Sequence, residues 1–270
     1  MKKSDIIRKR RSVRTFDGKA LPLAQADRIL EFAESAANPY GIPIEWKLLD
    51  AERDGLRSPV IVGTNLWIAG KAKRVRHAAE AFGYSFEKAV LFAEEMGVGT
   101  TWIAGTMNRS AFENAMAVAA DEVLPCVSPL GYPAKKMSFR ELMMRKGIKA
   151  NTRKEFKEIC FDGDFNTPLS PKKAGKLRLP LEMVRLAPSA VNRQPWRIVV
   201  QGDRVHFYQK SDKRFVAADG WDIQRIDMGI ALCHFALGAE EEGLSVIFLQ
   251  EDPALAVPED VFYVASYALS

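Results

Sequence analysis

Arg8-Lys9-Arg10-Arg11-Ser12-Val13-Arg14-Thr15-Phe16 sets four arginines, a lysine and a hydroxyl within seven residues, with apolar Val13 and Phe16 interrupting the charge so that part of the stretch can lie against a core. Lys2, Lys3, Arg8, Lys9, Arg10, Arg11 and Arg14 stand against Asp5 alone, so the first fourteen residues carry +6 in a chain whose net charge is +5. The basicity is local, and the pI near 9.0 does not describe the rest of the chain. A protein that coats nucleic acid spreads its charge over a face. Two readings of the stretch are open: a grip for a phosphate, or a solvated basic tail or nonspecific nucleic-acid patch.

The chain has 270 residues, 47% of them hydrophobic, enough for one large domain or two small ones. No apolar run approaches the roughly 20 residues of a membrane span, and no apolar segment of signal-peptide type follows the N-terminal charges. A soluble, cytoplasmic protein without a membrane partner is expected. Cys126, Cys160 and Cys233 are few and far apart, which suits small buried hydrophobes better than disulfides or a zinc ribbon. His77, His206 and His234 share no ligand spacing with them, so no metal is expected.

Periodicity predicts a helix over 23–37 with Leu23, Ala26, Ile29, Leu30 and Ala33 on one face, stopped by Asn38-Pro39-Tyr40-Gly41. Strands are predicted at 46–49 and 58–62, helices at 72–82 and 85–96 with Gly97 ending the second, and a strand running into a turn at 100–105. Ser110 and Glu113 read as a capping box for a helix to about Ala120, and 127–132 as a strand. Further on, 197–200 and 245–249 read as strands. Asp222 to Glu242 reads as a helix burying Ile226, Gly229, Ile230, Cys233 and Leu237, with His234 in its packing.

The pattern repeats. Phe161-Asp162-Gly163 restates Phe16-Asp17-Gly18, Pro168-Leu169 restates Pro22-Leu23, and Ala239-Glu240-Glu241-Glu242-Gly243 restates Ala93-Glu94-Glu95-Met96-Gly97. The offset is 145 or 146 residues each time, and a shared order at one offset indicates an internal duplication. The expected halves are 1–137 and 138–270.

A second informative stretch is Leu186-Ala187-Pro188-Ser189-Ala190-Val191-Asn192-Arg193-Gln194-Pro195-Trp196. Pro188 ends a helix, Ser189, Asn192 and Gln194 supply small polar groups, and Trp196 enters a strand. Alone it is a polar loop. Taken with Arg10-Arg11-Ser12-Val13-Arg14 it resembles the signature pair of the nitroreductase family of FMN enzymes, and 97–105 and 131–136 also resemble that family. The resemblance implies an α+β nitroreductase-like fold, built from two tandem α/β half-units packed as a pseudo-dimer around one flavin site. In ordinary members both motifs lie about thirty residues apart in one subunit and one FMN takes one motif from each of two chains; here one motif falls in each repeat.

Aligning Phe16 with Phe161 sets Glu155, Phe156, Lys157 and Ile159 opposite Arg10, Arg11, Ser12 and Arg14, and aligning Trp46 with Trp196 sets Ile42 and Ile44 opposite Asn192 and Gln194. A glutamate in place of an arginine would repel a phosphate. The losses are complementary, so one FMN per chain is expected.

The resemblance further implies that Arg10 and Ser12 hold the phosphate and ribityl chain, Lys135 or Lys136 closes over the phosphate, and Arg14 meets the N1 and C2 carbonyl edge of the ring. Arg11 shares the phosphate or points to solvent. Pro188, Ser189, Ala190, Asn192 and Gln194 would reach the flavin from the other half, and the N–H groups of Ala104 and Gly105 would face N5. No catalytic side chain is implied, because the flavin carries hydride from NADH or NADPH to a small oxidant such as a nitroaromatic or quinone. The lack of a Gly-x-Gly-x-x-Gly turn agrees with a nicotinamide that stacks on the flavin. A monomeric pseudo-dimer or a weak homodimer is expected, with no nucleic-acid partner. The alternatives are non-reductase chemistry on the same fold, such as dehalogenation or ring fragmentation, and a basic-arm module that binds flavin or nucleic acid without catalysis.

Overall fold

The computed structural model describes residues 1–270. The chain divides into two compact units, one formed by Lys9–Ala150 and the other by Met1–Arg8 with Asn151–Ser270. In chain order the elements are α1 (Lys3–Lys9), α2 (Leu23–Ser35), β1 (Glu45–Asp50), β2 (Leu66–Lys73), α3 (Ala78–Glu95), α4 (Arg109–Ala115), β3 (Glu122–Val123), β4 (Val127–Leu130) and α5 (Phe139–Gly147). They continue with α6 (Phe156–Ile159), β5 (Cys160–Asp162), α7 (Arg178–Leu186), β6 (Trp196–Gln201), β7 (Arg204–Lys210), α8 (Gln224–Glu241), β8 (Val246–Leu249) and β9 (Val261–Leu269).

Each unit runs helix, two antiparallel strands, a long buried helix, then further strands. In the Lys9–Ala150 unit β2 lies centrally and pairs antiparallel with β1, β3 and β4. In the other unit the order is β5-β6-β7-β9-β8, with β5 parallel to β6 and the rest antiparallel. The long helices α3 and α8 are both 18 residues and start 146 positions apart, at Ala78 and Gln224. That is the offset of the glutamate-rich motif at their ends, so the duplication extends through the central helix of each unit.

The cores are aromatic. Trp46 of β1 packs on Phe82 and Phe86 of α3, with ring centroids 5.3 and 5.1 Å apart, and Trp102 meets Phe86 edge-on at 4.8 Å. In the other unit Phe207 of β7 meets Phe235 of α8 edge-on at 5.3 Å, and Tyr267 of β9 stacks on Phe235 at 5.1 Å. Such rings account for much of the burial, at about 1.5–3 kcal/mol for each large apolar side chain fully withdrawn from water. Cys126, Cys160 and Cys233 are buried and form no disulfide. No helix is long and apolar enough to cross a membrane.

Several local expectations are corrected. The residues 72–82 are not one helix, because Ala72 and Lys73 end β2, and a single helix α3 replaces the two predicted. β2 is buried on both faces, and such a run carries no alternation by which to identify it as a strand. The predicted strand at 58–62 is a turn with one bridge, Val62 to Thr15, and 100–105 makes only bridges, Thr100 to Ser12 and Ile103 to Val127. α4 is shorter than predicted and is preceded by Asn108 in place of Ser110. Asn108 Oδ1 accepts from Arg57 N–H at 2.7 Å, so its side chain braces a neighbouring loop. Leu23 opens α2 exposed, while Ala26, Ile29 and Ala33 are buried.

Candidate functional site

The basic stretch is not a free tail. Its first residues belong to α1, where Ser4 N–H and Oγ–H both donate to the Glu241 carboxylate at the end of α8, at 2.8 and 2.6 Å. Ile6 and Ile7 are buried. The remainder runs extended along the Lys9–Ala150 unit, laced on both sides. Val13 N–H donates to Thr100 C=O at 2.8 Å, Phe16 N–H to Val62 C=O at 2.8 Å, Ala134 N–H to Thr15 C=O at 3.0 Å and Asp17 N–H to Tyr132 C=O at 2.9 Å. Val13 and Phe16 are buried, as their apolar character requires.

This lacing carries three arginines into the protein. Arg10 and Arg14 are each only 9% exposed and Arg11 is half-buried. Behind Arg10 stands the fully buried Glu87, 3.8 Å from its Nε, whose other oxygen accepts Trp102 Nε1–H at 3.1 Å. Beside Arg11 stands buried Glu141, 3.6 Å away, which also accepts Thr15 Oγ1–H at 2.8 Å. Yet Arg10 Nε, Arg11 Nη1 and Arg14 Nε and Nη1 are buried without a hydrogen-bond acceptor. Burial holds the Arg14 pKa below the ordinary arginine value, opposed by Glu141 and reinforced by Arg145. Arginine keeps its proton in proteins, so the depression expresses the cost of a desolvated cation lacking a close anion. Four orphaned donors on three neighbouring arginines fit the oxygens of a phosphate or a carbonyl edge, which accept and do not donate.

The other residues singled out in this unit lie along the same lacing. Ser12 is half-buried and bridges Thr100. Lys135 and Lys136 are exposed and directly follow Ala134. Ala104 C=O accepts from Arg109 at 3.1 Å, and no acceptor in the chain meets the N–H groups of Ala104 or Gly105.

The Pro188–Trp196 loop belongs to the other unit. Val191, Asn192 and Gln194 all have positive φ, at 41°, 59° and 52°. For the β-branched Val191 this is strain that the surroundings must enforce. The enforcement is visible. Ser189 Oγ accepts Gln194 N–H at 2.8 Å, Lys154 N–H donates to Gln194 Oε1 at 2.8 Å, and Asn192 Nδ2–H donates to Thr152 C=O at 3.1 Å. Ala190 N–H donates to the Asp227 carboxylate of α8 at 3.0 Å. The amides of Asn192 and Gln194 are therefore engaged largely in shaping the loop. His234 is fully buried, with Nδ1 2.8 Å from Met183 C=O, in the contact between α7 and α8.

Glu87, Glu141 and Asp227 are absent from the sequence expectations. For Glu87 and Asp227 the available signal is a carboxylate inside an apolar run, as in Phe82-Gly83-Tyr84-Ser85-Phe86-Glu87 and Ile226-Asp227-Met228. Burial pushes the Asp227 carboxyl well above the usual carboxylate range, opposed by the Ala190 N–H and reinforced by Asp222. A raised folded-state pKa means stability that is full below the unfolded pKa and lost as pH rises through the folded one. Asp227→Asn, which keeps an acceptor for Ala190, is expected to lack that loss. Urea unfolding from pH 4 to pH 8 should show wild-type stability falling relative to Asp227→Asn, and parallel profiles would contradict the assignment.

A family model described as "Putative TM nitroreductase" matches residues 4–239. The chain belongs to this nitroreductase family. The match spans both units, and membership of the family supports an oxidoreductase-like function. A crystal structure of a putative nitroreductase from Thermotoga maritima aligns with 100% of this chain and 93% of its own, at 21% identity and a TM-score of 0.64, which establishes the shared fold. An FMN-dependent nitroreductase from Clostridium difficile covers 52% of this chain and 94% of its own at 19% identity and a TM-score of 0.42. An iodotyrosine deiodinase bound to FMN and 3-iodo-L-tyrosine covers 50% and 92% at 16% and 0.43. At those scores neither carries an argument about this nitroreductase-family chain. No curated protein matches it.

Proposed function

We propose that the protein is a flavin oxidoreductase that holds one FMN per chain and passes hydride from NADH or NADPH to a small oxidant such as a nitroaromatic or quinone. The observation that carries this reading is the set of arginine donors without hydrogen-bond acceptors at Arg10, Arg11 and Arg14; Glu87 and Glu141 offset the charge of the first two at 3.8 and 3.6 Å, and the hydrogen bonds themselves are left for an anionic or carbonyl-rich ligand to supply. Family membership and the motif pair support FMN as that ligand.

In this reading Arg10 and Arg11 bind the phosphate, with Ser12 beside them and Lys135 and Lys136 adding positive charge at the rim. Glu87 and Glu141 aim the guanidinium groups and limit the net charge of the unfilled site. Arg14 holds a fixed cation where negative charge develops on a reduced ring, which favours reduction. The N–H groups of Ala104 and Gly105 are donors with no acceptor of their own, available to the ring. Pro188, Ser189, Ala190, Asn192 and Gln194 form a rigid wall whose shape is set before the cofactor arrives. Bound FMN supplies the hydride acceptor and donor that no side chain here can supply. Because the two motifs lie on one chain, the proposed working form is a monomeric pseudo-dimer, with 1–137 and 138–270 as its ancestral halves.

The test is the visible spectrum of the purified protein, then heat release and quantification of flavin against chain. One FMN per chain, reduced by NADH or NADPH and reoxidised by a quinone, is the expected result. Two per chain would contradict the complementary loss of motifs, and none after reconstitution would sink the cofactor reading.

A further inference from the structure

Helix α5 carries its polar anchor inward and its apolar residues outward. Glu141 is buried, and with Ser138 it fastens the helix to Thr15. Thr15 Oγ1–H donates to the Glu141 carboxylate at 2.8 Å, Ser138 N–H donates to Thr15 Oγ1 at 3.0 Å, and Glu141 N–H donates to Ser138 Oγ at 3.2 Å. The side turned away from that anchor is apolar. Phe139, Leu142 and Met143 are 78%, 51% and 52% exposed, and their i, i+3, i+4 spacing sets them together on one side of the helix. A surface helix ordinarily turns such a stripe towards the core.

The charge around this face has one sign. From Val123 to Ala150 the chain has six lysines and arginines against a single carboxylate, the buried Glu141. Lys135, Lys136, Arg140, Lys146 and Lys149 are exposed, and no exposed carboxylate lies among them in the chain. Lys146 stands one turn beyond Leu142 and Met143 on their side of the helix, and Arg140 adjoins Phe139, with Nη1 donating to Pro59 C=O. A soluble surface ordinarily mixes both signs of charge and scatters its large apolar side chains singly. Helix α5 does neither, and a contiguous apolar patch with a charged rim marks a place of contact.

We propose that α5 docks on an anionic lipid surface, with Phe139, Leu142 and Met143 entering the headgroup layer and Arg140 and Lys146 meeting lipid phosphates. Charge complementarity separates the possible occupants. A second copy of this chain in a two-fold contact would bring the same cations against each other. An acidic protein would match the charge, but the side chains that anchor a protein interface seat in desolvated pockets, and Phe139 projects from this face. A bilayer requires no pocket. It takes apolar side chains into the headgroup boundary, and the long stems of lysine and arginine reach to its phosphates. The expectation of no membrane partner concerns spans, and no helix here is long and apolar enough to cross a membrane. A surface contact needs no crossing. The proposal concerns α5 alone and stands apart from the hydride-transfer reading.

The experiment is cosedimentation of the whole chain with phosphatidylcholine vesicles made with and without phosphatidylglycerol, at low and high salt. Wild type is compared with Lys146→Gln, Lys146→Arg and the double variant Phe139→Gln/Leu142→Gln, with circular dichroism recorded alongside. All three positions are exposed, so each variant is expected to fold as wild type does. Wild type should bind the phosphatidylglycerol vesicles, release them as salt screens the charge, and ignore phosphatidylcholine alone. Lys146→Gln should bind about fivefold more weakly and Lys146→Arg as wild type, as one lost and one retained charge predict. The double variant should bind about tenfold or more weakly, from the apolar side chains withdrawn. Absence of wild-type binding to phosphatidylglycerol vesicles, or equal binding by all four proteins, overturns the proposal. So does binding of polyglutamate without binding of vesicles, which assigns an acidic protein. A wild-type dimer in sedimentation velocity that the double variant loses assigns a second copy instead, and overturns it equally.

Discussion

Arg14→Ala is expected to weaken FMN binding by about 100-fold or more while leaving the flavin-free protein at least as stable as wild type. The first half follows from two orphaned donors, Nε and Nη1, on a side chain only 9% exposed. Each charge-assisted contact that they would make with an acceptor contributes roughly 1.5–3 kcal/mol, and each 1.4 kcal/mol is about a factor of ten in affinity. The second half follows from the same burial. In the absence of a ligand Arg14 contributes a desolvated charge whose donors meet no acceptor, and burial depresses its pKa accordingly. Removing it relieves that cost, although the vacated volume offsets part of the gain. A structural arginine would behave in the opposite way, with stability falling along with any binding. Flavin fluorescence titration of the apoprotein and urea unfolding without flavin measure the two halves. Arg14→Lys should recover little affinity, because a point charge on a flexible stem does not reproduce two fixed N–H groups. Unchanged flavin affinity in Arg14→Ala would remove this arginine from the site.

Gly63→Ala should be the most damaging single-methyl change near that site, costing about 2–4 kcal/mol of stability and loosening FMN as a consequence. Gly63 has φ of 85°, and a Cβ there would lie 2.4 Å from the carbonyl oxygen of Phe16 and 3.0 Å from its carbon. The obstacle is backbone, so no side chain can rotate away. Relief requires the extended stretch to move off Val62, to which it is bonded by Phe16 N–H and by Arg14 C=O at 2.8 and 3.0 Å. Left-handed strain for alanine adds to the steric term. Gly55→Ala is the control, since its φ of 64° carries similar strain but a Cβ there meets nothing within 4 Å. About 1 kcal/mol is expected for it, with flavin affinity unchanged. Denaturant midpoints for the two variants decide the matter, and equal losses would mean that the contact with Phe16 is not what holds the arginine stretch.

Much of the chain's organisation is legible in its residues. The repeat offset carried by three short motifs places the C-terminal ends of both 18-residue helices, because a helix end marked by Glu-Glu and Gly is a local signal that survives divergence. The arginine stretch and the Pro188–Trp196 loop are legible too, since the charge cluster and the Pro, Asn and Gln spacing are contiguous. Local expectations fail where the determinant is distant. The end of β2 reads as part of a helix because the strand is buried on both faces, and its strand character comes from pairing with β1 and β4. The residues 58–62 and 100–105 look extended in isolation, but each is tied by a single bridge to the arginine stretch, which lies far away in sequence.

Residue order along the chain is enough to carry the duplication and the residue types able to meet an anion, because these depend on composition and spacing alone, and its two motifs carry the resemblance to the nitroreductase family. That Arg10, Arg11 and Arg14 are buried with donors unmet, and that Glu87 and Glu141 stand beside them, follows only from the packed fold. So does the hold of Asp227 on the loop, and the exposure of Phe139, Leu142 and Met143 on α5. Burial and the lack of a matching anion are properties of neighbours brought together across long sequence separations, and those neighbours are set by packing.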